Sequence, residues 1–548
     1  MSLRLMWPIL SLLSCASVAS RFIWSCDSRS ARRSPTQRAC GSGMPTLTSS
    51  VVMRCAGVAH AASSSKSPNA SFRIAYSLSA AVLAQPRAAR HAWRYPQQAL
   101  EARTMSLPPA TDFRPLGLRL LNAVFPRVWN AGLLPYPDLQ EATLDAMATK
   151  STGLSDFGDD SFARSQLRML LPALESEAQL NPMGRVIAHG TLLKSLKERL
   201  WAQDLFKRHP EILDRPLAPP IVVIGQMRSG TTRLQRLLGQ DPRFAALRLY
   251  ESMSPVPWPS SQRNPKRDPR VGYTQRAFAF LNYINPGIAA THPTGALEID
   301  EELGLLDASF TGAAIEAQRR VPSFARYCEA TDQTPAYLHL RRLLQLASWF
   351  RGQDPATPFV LKMPQHMQDL PALMAVFPDA KLVFIHRDPA AVLGSSASMV
   401  WNQMVVQSDS VDPHWIGAEW LHKAHHRAAV TAALRPKLAA AQQIDVRFAD
   451  MNADWVAVMR RIYDFLGVPF DATAHAAMAA YLARAAREHR HDEHRYTLED
   501  FGLDARVINA GFADYRARFD IPFEVPAAMR GAAIAQDPGY GIGEGVPA

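Results

Sequence analysis

The chain has 548 residues, of which 47% are hydrophobic and 20% charged, a globular composition that excludes collagen-like, coiled-coil and wholly disordered chains. Its formal net charge is +11, yet residues 1–104 hold 13 Lys and Arg against only Asp27 and Glu101, and the remainder is neutral. The basic balance therefore predicts no nucleic-acid partner. No run reaches about 18 apolar residues, so no membrane span is predicted.

Residues 1–104 are rich in Ser, Ala and Arg and show no sustained helical or strand period, so they are predicted to be a disordered extension. The first leucines resemble a weak secretory signal, and the whole segment resembles an acid-poor transit peptide. We favour a third interpretation, in which an upstream start codon adds non-native residues before Met105. Beyond this extension only Cys328 remains, and one unpaired cysteine favours a reducing, cytoplasmic compartment.

The rest of the chain divides by its hydrophobic pattern. Apolar residues at three- and four-residue spacing predict a mostly helical N-terminal region over residues 105–215. An α/β domain is predicted over residues 216–530, followed by a C-terminal tail over residues 531–548. Short apolar runs at 221–224, 359–361, 382–385 and 444–448 alternate with helical patterns. This alternation predicts an α/β fold with a P-loop-like parallel β-sheet flanked by helices.

The strongest local signal is GQMRSGTT at residues 225–232, directly after the first predicted strand and before a helical pattern. A loop in this position offers consecutive backbone N–H groups and the positive end of a helix dipole to an anion. Thr231 stands where P-loop triphosphatases carry Lys, and the cation is instead Arg228, which argues against ATP hydrolysis. The residues predicted to bind the anion are Gly225, Arg228, Ser229, Gly230, Thr231 and Thr232.

A second candidate anion site follows the third predicted strand, where His386-Arg387-Asp388-Pro389 leads into a helix that carries Ser395. Asp388 and Pro389 are a typical helix start. Ligands bind at the carboxyl edge of a parallel sheet, so Arg387 and Ser395, two helical turns apart, are predicted to converge on one phosphate.

Together these two motifs resemble the donor-binding signature of the sulfotransferases that use 3′-phosphoadenosine 5′-phosphosulfate. RSGTT at residues 228–232 is similar to the family loop for the 5′-phosphosulfate, and Arg387 with Ser395 is similar to the family's 3′-phosphate site. Further similarity occurs at residues 360–366, 377–380, 465–469 and 496–503. The resemblance covers most of residues 180–525 and implies sulfuryl transfer from this donor to a hydroxyl or amine, with no metal ion.

The resemblance also implies roles for single residues. Arg228 and the loop amides would stabilise the departing 5′-phosphate, Lys362 would hold the transferring group, and a base would take the acceptor proton. His366 is the first candidate base, because imidazole titrates near neutral pH and His366 follows a strand end. Cytosolic members place this His two residues after the Lys, whereas His366 lies four residues after Lys362. A structural role for His366 stays equally open.

An acidic segment supplies the other candidate bases. Four carboxylates occupy residues 298–302, and some sulfotransferases that modify protein use a Glu base, so Glu298 and Glu302 stay open for this role. The same carboxylates have an ordinary explanation as charges that complement the N-terminus of a following helix. A basic segment with His489, His491 and His494 is interpreted as closing over the 3′-phosphate, rather than as a metal site.

The acceptor is predicted to be a small molecule, lipid or carbohydrate, and its identity and the oligomeric state have no sequence signal. Aromatic residues between 250 and 340, Phe310 among them, are either acceptor contacts or core. Two other functions remain open. One is a P-loop kinase or nucleotide-binding protein, against which the missing loop Lys argues. The other is a catalytically silent module that keeps the nucleotide site without a competent base.

Overall fold

The computed structural model describes residues 113–263, 268–288, 294–488 and 496–524. Its centre is a parallel sheet of four strands in the order β2-β1-β3-β4. The strands are β1 Ile221–Ile224, β2 Val360–Lys362, β3 Lys381–His386 and β4 Gln443–Arg447. Each agrees within one residue or two with an apolar run of the sequence, so the predicted parallel sheet is confirmed.

The central strands β1 and β3 are buried on both faces, which explains their continuous apolar runs, whereas the edge strand β4 is partly buried and alternates Ile444 and Val446 with polar residues. Successive side chains of a strand point to opposite faces. Val222 and Ile224 therefore pack in one core cluster, and Ile221 and Val223 pack in another on the opposite face. Helices cover each face, as the sequence predicts for an α/β fold.

Helices precede the sheet in the chain, as predicted for the N-terminal region. They are α1 Leu116–Asn130, α2 Glu141–Thr152, α3 Ser161–Ser176, α4 Pro182–Arg208 and α5 Glu211–Asp214. Leu144, Leu167 and Leu196 from α2, α3 and α4 share a separate core cluster with Phe310 and Phe324. Phe310 is 1% exposed and packs in this core cluster, in agreement with the core alternative for the aromatic residues.

The long connection between β1 and β2 is also helical. Its helices are α6 Thr231–Leu238, α7 Leu249–Met253, α8 Pro259–Arg263, α9 Pro269–Ile284, α10 Leu303–Asp307, α11 Ala313–Gln318, α12 Pro322–Ala330 and α13 Thr334–Arg351. Helix α14 Leu370–Val376 joins β2 to β3, after a short 3-10 helix at Pro364–Met367.

The C-terminal half continues in the same way. Its helices are α15 Pro389–Gln407, α16 Pro413–Leu434, α17 Phe448–Ala453, α18 Trp455–Leu466, α19 Ala472–Glu488, α20 Ala505–Gly511 and α21 Ala513–Phe519. Helix α15 begins as predicted: the Asp388 carboxylate accepts a hydrogen bond of 3.0 Å from the Ala390 N–H, and Pro389 is the first helical residue. Across the described ranges, no helix combines the length and apolarity needed to cross a bilayer.

The strand order places a ligand crevice at one edge of the sheet. From β1 the chain goes to β2 on one side, then crosses to β3 on the other side. Because all strands are parallel, the residues after Ile224, Lys362 and His386 lie at the same carboxyl edge, beside this topological switch point. The predicted domain boundaries near residues 104, 215 and 530 stay predictions, and residues 1–104 and 531–548 lie outside the described residues.

Candidate active site

The loop between β1 and α6 requires its two glycines. A Cβ atom on Gly225 would lie 2.7 Å from the Ile385 side chain, since this part of the loop runs against β3. Gly230 has φ +94°, and a Cβ there would lie 2.6 Å from the ring of Phe448. The tight turn that the sequence predicts therefore depends on glycine at both positions.

Arg228 sits in this loop with φ +70°, a left-handed conformation that non-glycine residues seldom adopt. Its Nε donates a hydrogen bond of 2.9 Å to the Ser395 hydroxyl on α15. Its backbone carbonyl accepts a hydrogen bond of 2.7 Å from Nη1 of Arg387. The structure thus brings together the two motifs that the sequence analysis paired, although 159 residues separate Arg228 from Arg387.

The two guanidinium groups are close enough to affect each other electrostatically. Burial, followed by the positive charge of Arg387, lowers the pKa of Arg228 from its usual value. Arg387 also lies over the ring of Phe448, with its guanidinium carbon 4.2 Å from the ring centroid. Two adjacent cations at the end of a helix-opening loop form a site suited to an anion.

One carboxylate at this site had no sequence signal. Glu524, in the segment after α21, forms a bidentate ion pair with Arg387, with Nε 3.0 Å and Nη2 2.7 Å from Glu524 oxygens. Glu524 is more than 130 residues from Arg387 in the chain, and only the folded C-terminal segment brings them together.

Lys362 ends β2 and is fully buried. Its Nζ donates a hydrogen bond of 3.1 Å to the Thr232 hydroxyl at the start of α6, and it forms an ion pair with Glu301. Lys362 therefore links the end of β2 to the loop that follows β1. The sequence analysis named Glu298 and Glu302 as candidate bases, but Glu301 is the carboxylate beside the Lys362 ammonium.

Helix α6 holds the acidic segment in place. Gln235 donates a hydrogen bond of 3.1 Å to the Asp300 carbonyl, and Arg236 donates one of 2.9 Å to the Ile299 carbonyl. The segment before α10 is not helical, so the spacing of its carboxylates does not assign them to faces. This is why the pattern of residues 298–302 did not single out Glu301.

Glu302 and His366 are both fully buried, and they form a hydrogen bond with Nε2 2.5 Å from Oε1. The Tyr337 hydroxyl lies 2.7 Å from His366 Nδ1, and the Lys362 backbone N–H donates to Glu302 Oε2 over 3.0 Å. Both ring nitrogens of His366 thus have buried partners. The base role predicted for His366 and for Glu302 stays a prediction, and both groups also have the contacts expected of a structural role.

The other predicted residues lie as follows. Glu298 is half-buried and pairs with Arg484 of α19, with Nη2 to Oε1 3.4 Å, rather than with Lys362. Ser229 is buried, and its hydroxyl donates a hydrogen bond of 2.6 Å to the Gln226 carbonyl, so it shapes the loop. Thr231 is buried at the first turn of α6. The predicted basic segment with His489, His491 and His494 lies outside the described residues.

Comparisons with known proteins agree on one family. The profile of the sulfotransferase family matches residues 219–472. Sulfotransferase STF1 from Mycobacterium tuberculosis H37Rv is 32% identical, with a TM-score of 0.60 over 68% of this chain and 98% of that chain. Sulfotransferase STF9 from Mycobacterium avium is 25% identical, with a TM-score of 0.63 over 71% of this chain and 99% of that chain.

A curated relative gives a similar result over a shorter stretch. The omega-hydroxy-beta-dihydromenaquinone-9 sulfotransferase Stf3 of Mycobacterium bovis is 27% identical over 202 residues, which are 36% of this chain and 49% of the relative. The chain thus spans about half the length of the curated relatives it matches.

Proposed function

The chain belongs to the sulfotransferase family, and from this premise we propose that it transfers a sulfuryl group from 3′-phosphoadenosine 5′-phosphosulfate to a hydroxyl or amine of an acceptor. The observation that carries the proposal is the convergence of Arg228, Arg387 and Ser395 at the carboxyl edge of the sheet. Sulfuryl transfer requires cations and backbone donors at the places where negative charge develops, and this edge supplies both.

In this proposal the loop after β1 and the residues after β3 bind different anionic groups of the donor. The backbone N–H groups of Arg228 and of residues 230–232, together with the Lys362 ammonium, bind the 5′-phosphosulfate. Arg387 and Ser395 bind the 3′-phosphate. Arg228 lies between the two anions, since its side chain contacts Ser395 and its backbone belongs to the loop. Its lowered pKa, caused first by burial, agrees with a cation that gains stability from a bound anion.

We assign the base role to Glu301, because it is the carboxylate that pairs with Lys362 beside Thr232. The Glu301 carboxylate takes the proton of the acceptor hydroxyl while the acceptor oxygen forms a bond to sulfur. The bond between sulfur and the bridging oxygen breaks, and its electron pair stays on the 5′-phosphate. Lys362 and the loop N–H groups stabilise this charge. Glu302, His366 and Tyr337 hold the end of β2 and the acidic segment in register.

For the acceptor we propose a small molecule with a hydroxyl group, a lipid or carbohydrate included. The name of the relative Stf3 specifies a hydroxylated menaquinone, which supports an apolar acceptor. We place the reaction in the cytoplasm, where the donor is expected, and without a metal ion.

Calorimetric titration of the full chain tests the donor assignment. We expect tight binding of 3′-phosphoadenosine 5′-phosphate and weak binding of ATP with Mg²⁺. Release of the bisphosphate from the donor is then measured across a panel of hydroxyl acceptors. Binding of ATP alone would replace the proposal with a kinase, and binding of the bisphosphate without turnover would leave a silent nucleotide-binding protein.

A further inference from the structure

The carboxylate of Glu524 pairs with Arg387, the residue to which the proposed function assigns the 3′-phosphate. Nε and Nη2 of the Arg387 guanidinium donate hydrogen bonds of 2.7–3.0 Å to the two oxygens of Glu524. Nη1 donates to the carbonyl of Arg228 instead. A bidentate carboxylate uses the same paired N–H groups that a phosphate uses, so the two anions compete for Arg387.

The backbone of this segment is anchored independently of the Glu524 side chain. The Glu524 N–H donates a hydrogen bond of 2.6 Å to Asp388, the residue that caps α15. Arg516 donates hydrogen bonds of 3.1 and 3.2 Å to the carbonyls of Ile521 and Pro522, and one of 2.6 Å to Asp388. The carboxylate can therefore leave Arg387 by rotation of its own side chain, with the backbone held in place.

Partial exposure makes such an exchange feasible. The side chains of Arg387 and Glu524 are 21% and 31% exposed, so the displaced carboxylate moves directly into water. The stacking of Arg387 on Phe448 uses the face of the guanidinium and not its N–H groups, so it does not compete with an anion. The Glu524 carboxylate lies directly against Arg387, whose positive charge, after burial, lowers the pKa of Arg228.

From this geometry we propose that Glu524 is an intramolecular competitor of the 3′-phosphate, which weakens donor and product binding and thereby speeds exchange of the bisphosphate product. The inference rests on the proposed function. In each catalytic cycle the 3′-phosphate displaces Glu524 from Arg387, and Glu524 returns to Arg387 as the product leaves. Each exchange replaces one anion by another at the Arg387 side chain and involves no covalent step.

The test is the affinity for 3′-phosphoadenosine 5′-phosphate in the full chain, measured by calorimetry, with Glu524→Gln and Glu524→Ala compared with the wild type. Loss of the competitor is expected to tighten binding about fivefold, or about 1 kcal/mol. Stopped-flow displacement is expected to show slower dissociation of the bisphosphate in both variants. Adenosine 5′-phosphosulfate, which lacks the 3′-phosphate, is expected to gain less than about twofold.

Two controls separate competition from a general effect of charge. Asp520→Asn removes another carboxylate of the same segment, which pairs with Arg447, and its φ of +50° suits Asn. It is expected to leave the affinity unchanged. In a double-mutant cycle, Glu524→Gln is expected to have no effect once Arg387→Ala is present.

Equal or weaker bisphosphate binding in both Glu524 variants would overturn the inference and leave Glu524 as a structural partner of Arg387. The same conclusion would follow if the effect persisted in the Arg387→Ala background. Failure of the wild type to bind the bisphosphate at all would instead count against the proposed function, so the two failures are distinguishable.

Discussion

Glu302 and His366 form a fully buried hydrogen-bonded pair, and through Glu302 this pair also binds the backbone N–H of Lys362. The contact joins the acidic segment of the β1–β2 connection to the end of β2. It therefore fixes the position from which Glu301 pairs with Lys362.

The pair predicts a stability effect at position 366. His366→Ala leaves the Glu302 carboxylate and the Tyr337 hydroxyl without their shared partner, and breaking a buried pair in this way is expected to reduce the free energy of unfolding by about 3 kcal/mol. Urea denaturation at pH 7 measures the change. His414→Ala, at an exposed position, is the control and is expected to stay within about 0.5 kcal/mol of the wild type. A His366→Ala variant that is inactive but fully stable would instead support the predicted role of His366 as the base.

The assignment of the base predicts a kinetic difference between two neighbouring carboxylates. Glu301→Gln is expected to lower kcat by about 10²- to 10⁴-fold, the usual contribution of a general base. Bisphosphate affinity is expected to change by less than about threefold, because glutamine keeps the shape of the side chain. Donor turnover with a saturating acceptor gives kcat, and calorimetry gives the affinity. Glu298→Gln is the matched control, and the assignment is wrong if this variant, and not Glu301→Gln, loses turnover.

The cation pair at the edge of the sheet predicts a binding defect. Arg228→Ala and Arg387→Ala each remove charge-assisted hydrogen bonds and are expected to weaken bisphosphate binding by about 1.5 to 3 kcal/mol, or roughly 10- to 150-fold. The effect of Arg387→Ala is expected at the lower end, because the wild type must also displace Glu524. Arg506→Ala removes an exposed arginine that pairs with Asp504 and serves as control. Unchanged affinity in both site variants would reject the donor site.

Replacement of glycine by alanine is expected to have opposite effects on stability at positions 230 and 190. Gly230→Ala places a Cβ at φ +94° and against Phe448, so it is expected to destabilise the fold by about 1 to 2 kcal/mol and to weaken donor binding. Gly190 lies within α4, and a Cβ added there would meet no atom within 4 Å, so Gly190→Ala is expected to stabilise by up to about 1 kcal/mol. Thermal unfolding of both variants measures the difference. A Gly230→Ala protein as stable as the wild type would contradict the close approach to Phe448.

A buried carboxyl behind the site predicts a pH effect on stability. Burial raises the pKa of Asp369 from 3.8 to about 7. The hydrogen bond from Gln365 and the positive charges of His366 and Arg427 lower this pKa, and the negative charge of Glu316 raises it slightly, but burial has the largest effect. The folded protein therefore holds this proton more tightly than the unfolded chain. The stability contributed by Asp369 is full below its unfolded pKa and is lost as pH rises through about 7.

Asp369→Asn removes this titration while its side-chain oxygen can still accept from Gln365, whose Nε2 donates over 2.8 Å. The decline in unfolding free energy between pH 5 and pH 7 is expected to be shallower in the variant, by at most about 1.4 kcal/mol per pH unit. Urea denaturation across this range measures the slope. Burial also raises the pKa of Asp307, to about 6, in both proteins, so some decline remains in the variant. Parallel curves for the two proteins would contradict the raised pKa of Asp369.

Features that depend on local spacing were predictable from the sequence. The apolar run at residues 221–224, the glycines of the following loop and the Asp388-Pro389 helix start each depend on neighbouring residues, and the structure has a strand, a tight turn and a helix there. The parallel sheet was also predictable, because alternating strands and helices leave few other arrangements. Even the pairing of Arg387 with the loop followed, since parallel strands end at one edge.

Features that depend on contacts between distant segments required the tertiary structure. Glu301 rather than Glu298 pairs with Lys362, because side chains of α6 hold the non-helical acidic segment by its backbone carbonyls. Tyr337 of α13 forms a hydrogen bond with His366 in the buried group. Glu524 reaches Arg387 only because the segment after α21 folds back onto Asp388. Hydrophobic periodicity and turn chemistry act over a few residues, whereas the partner of a buried or paired charge is set by how the elements pack. For this chain the sequence alone therefore determined the sheet and the glycine loop that precedes α6, and packing decided which carboxylates pair with Lys362 and Arg387.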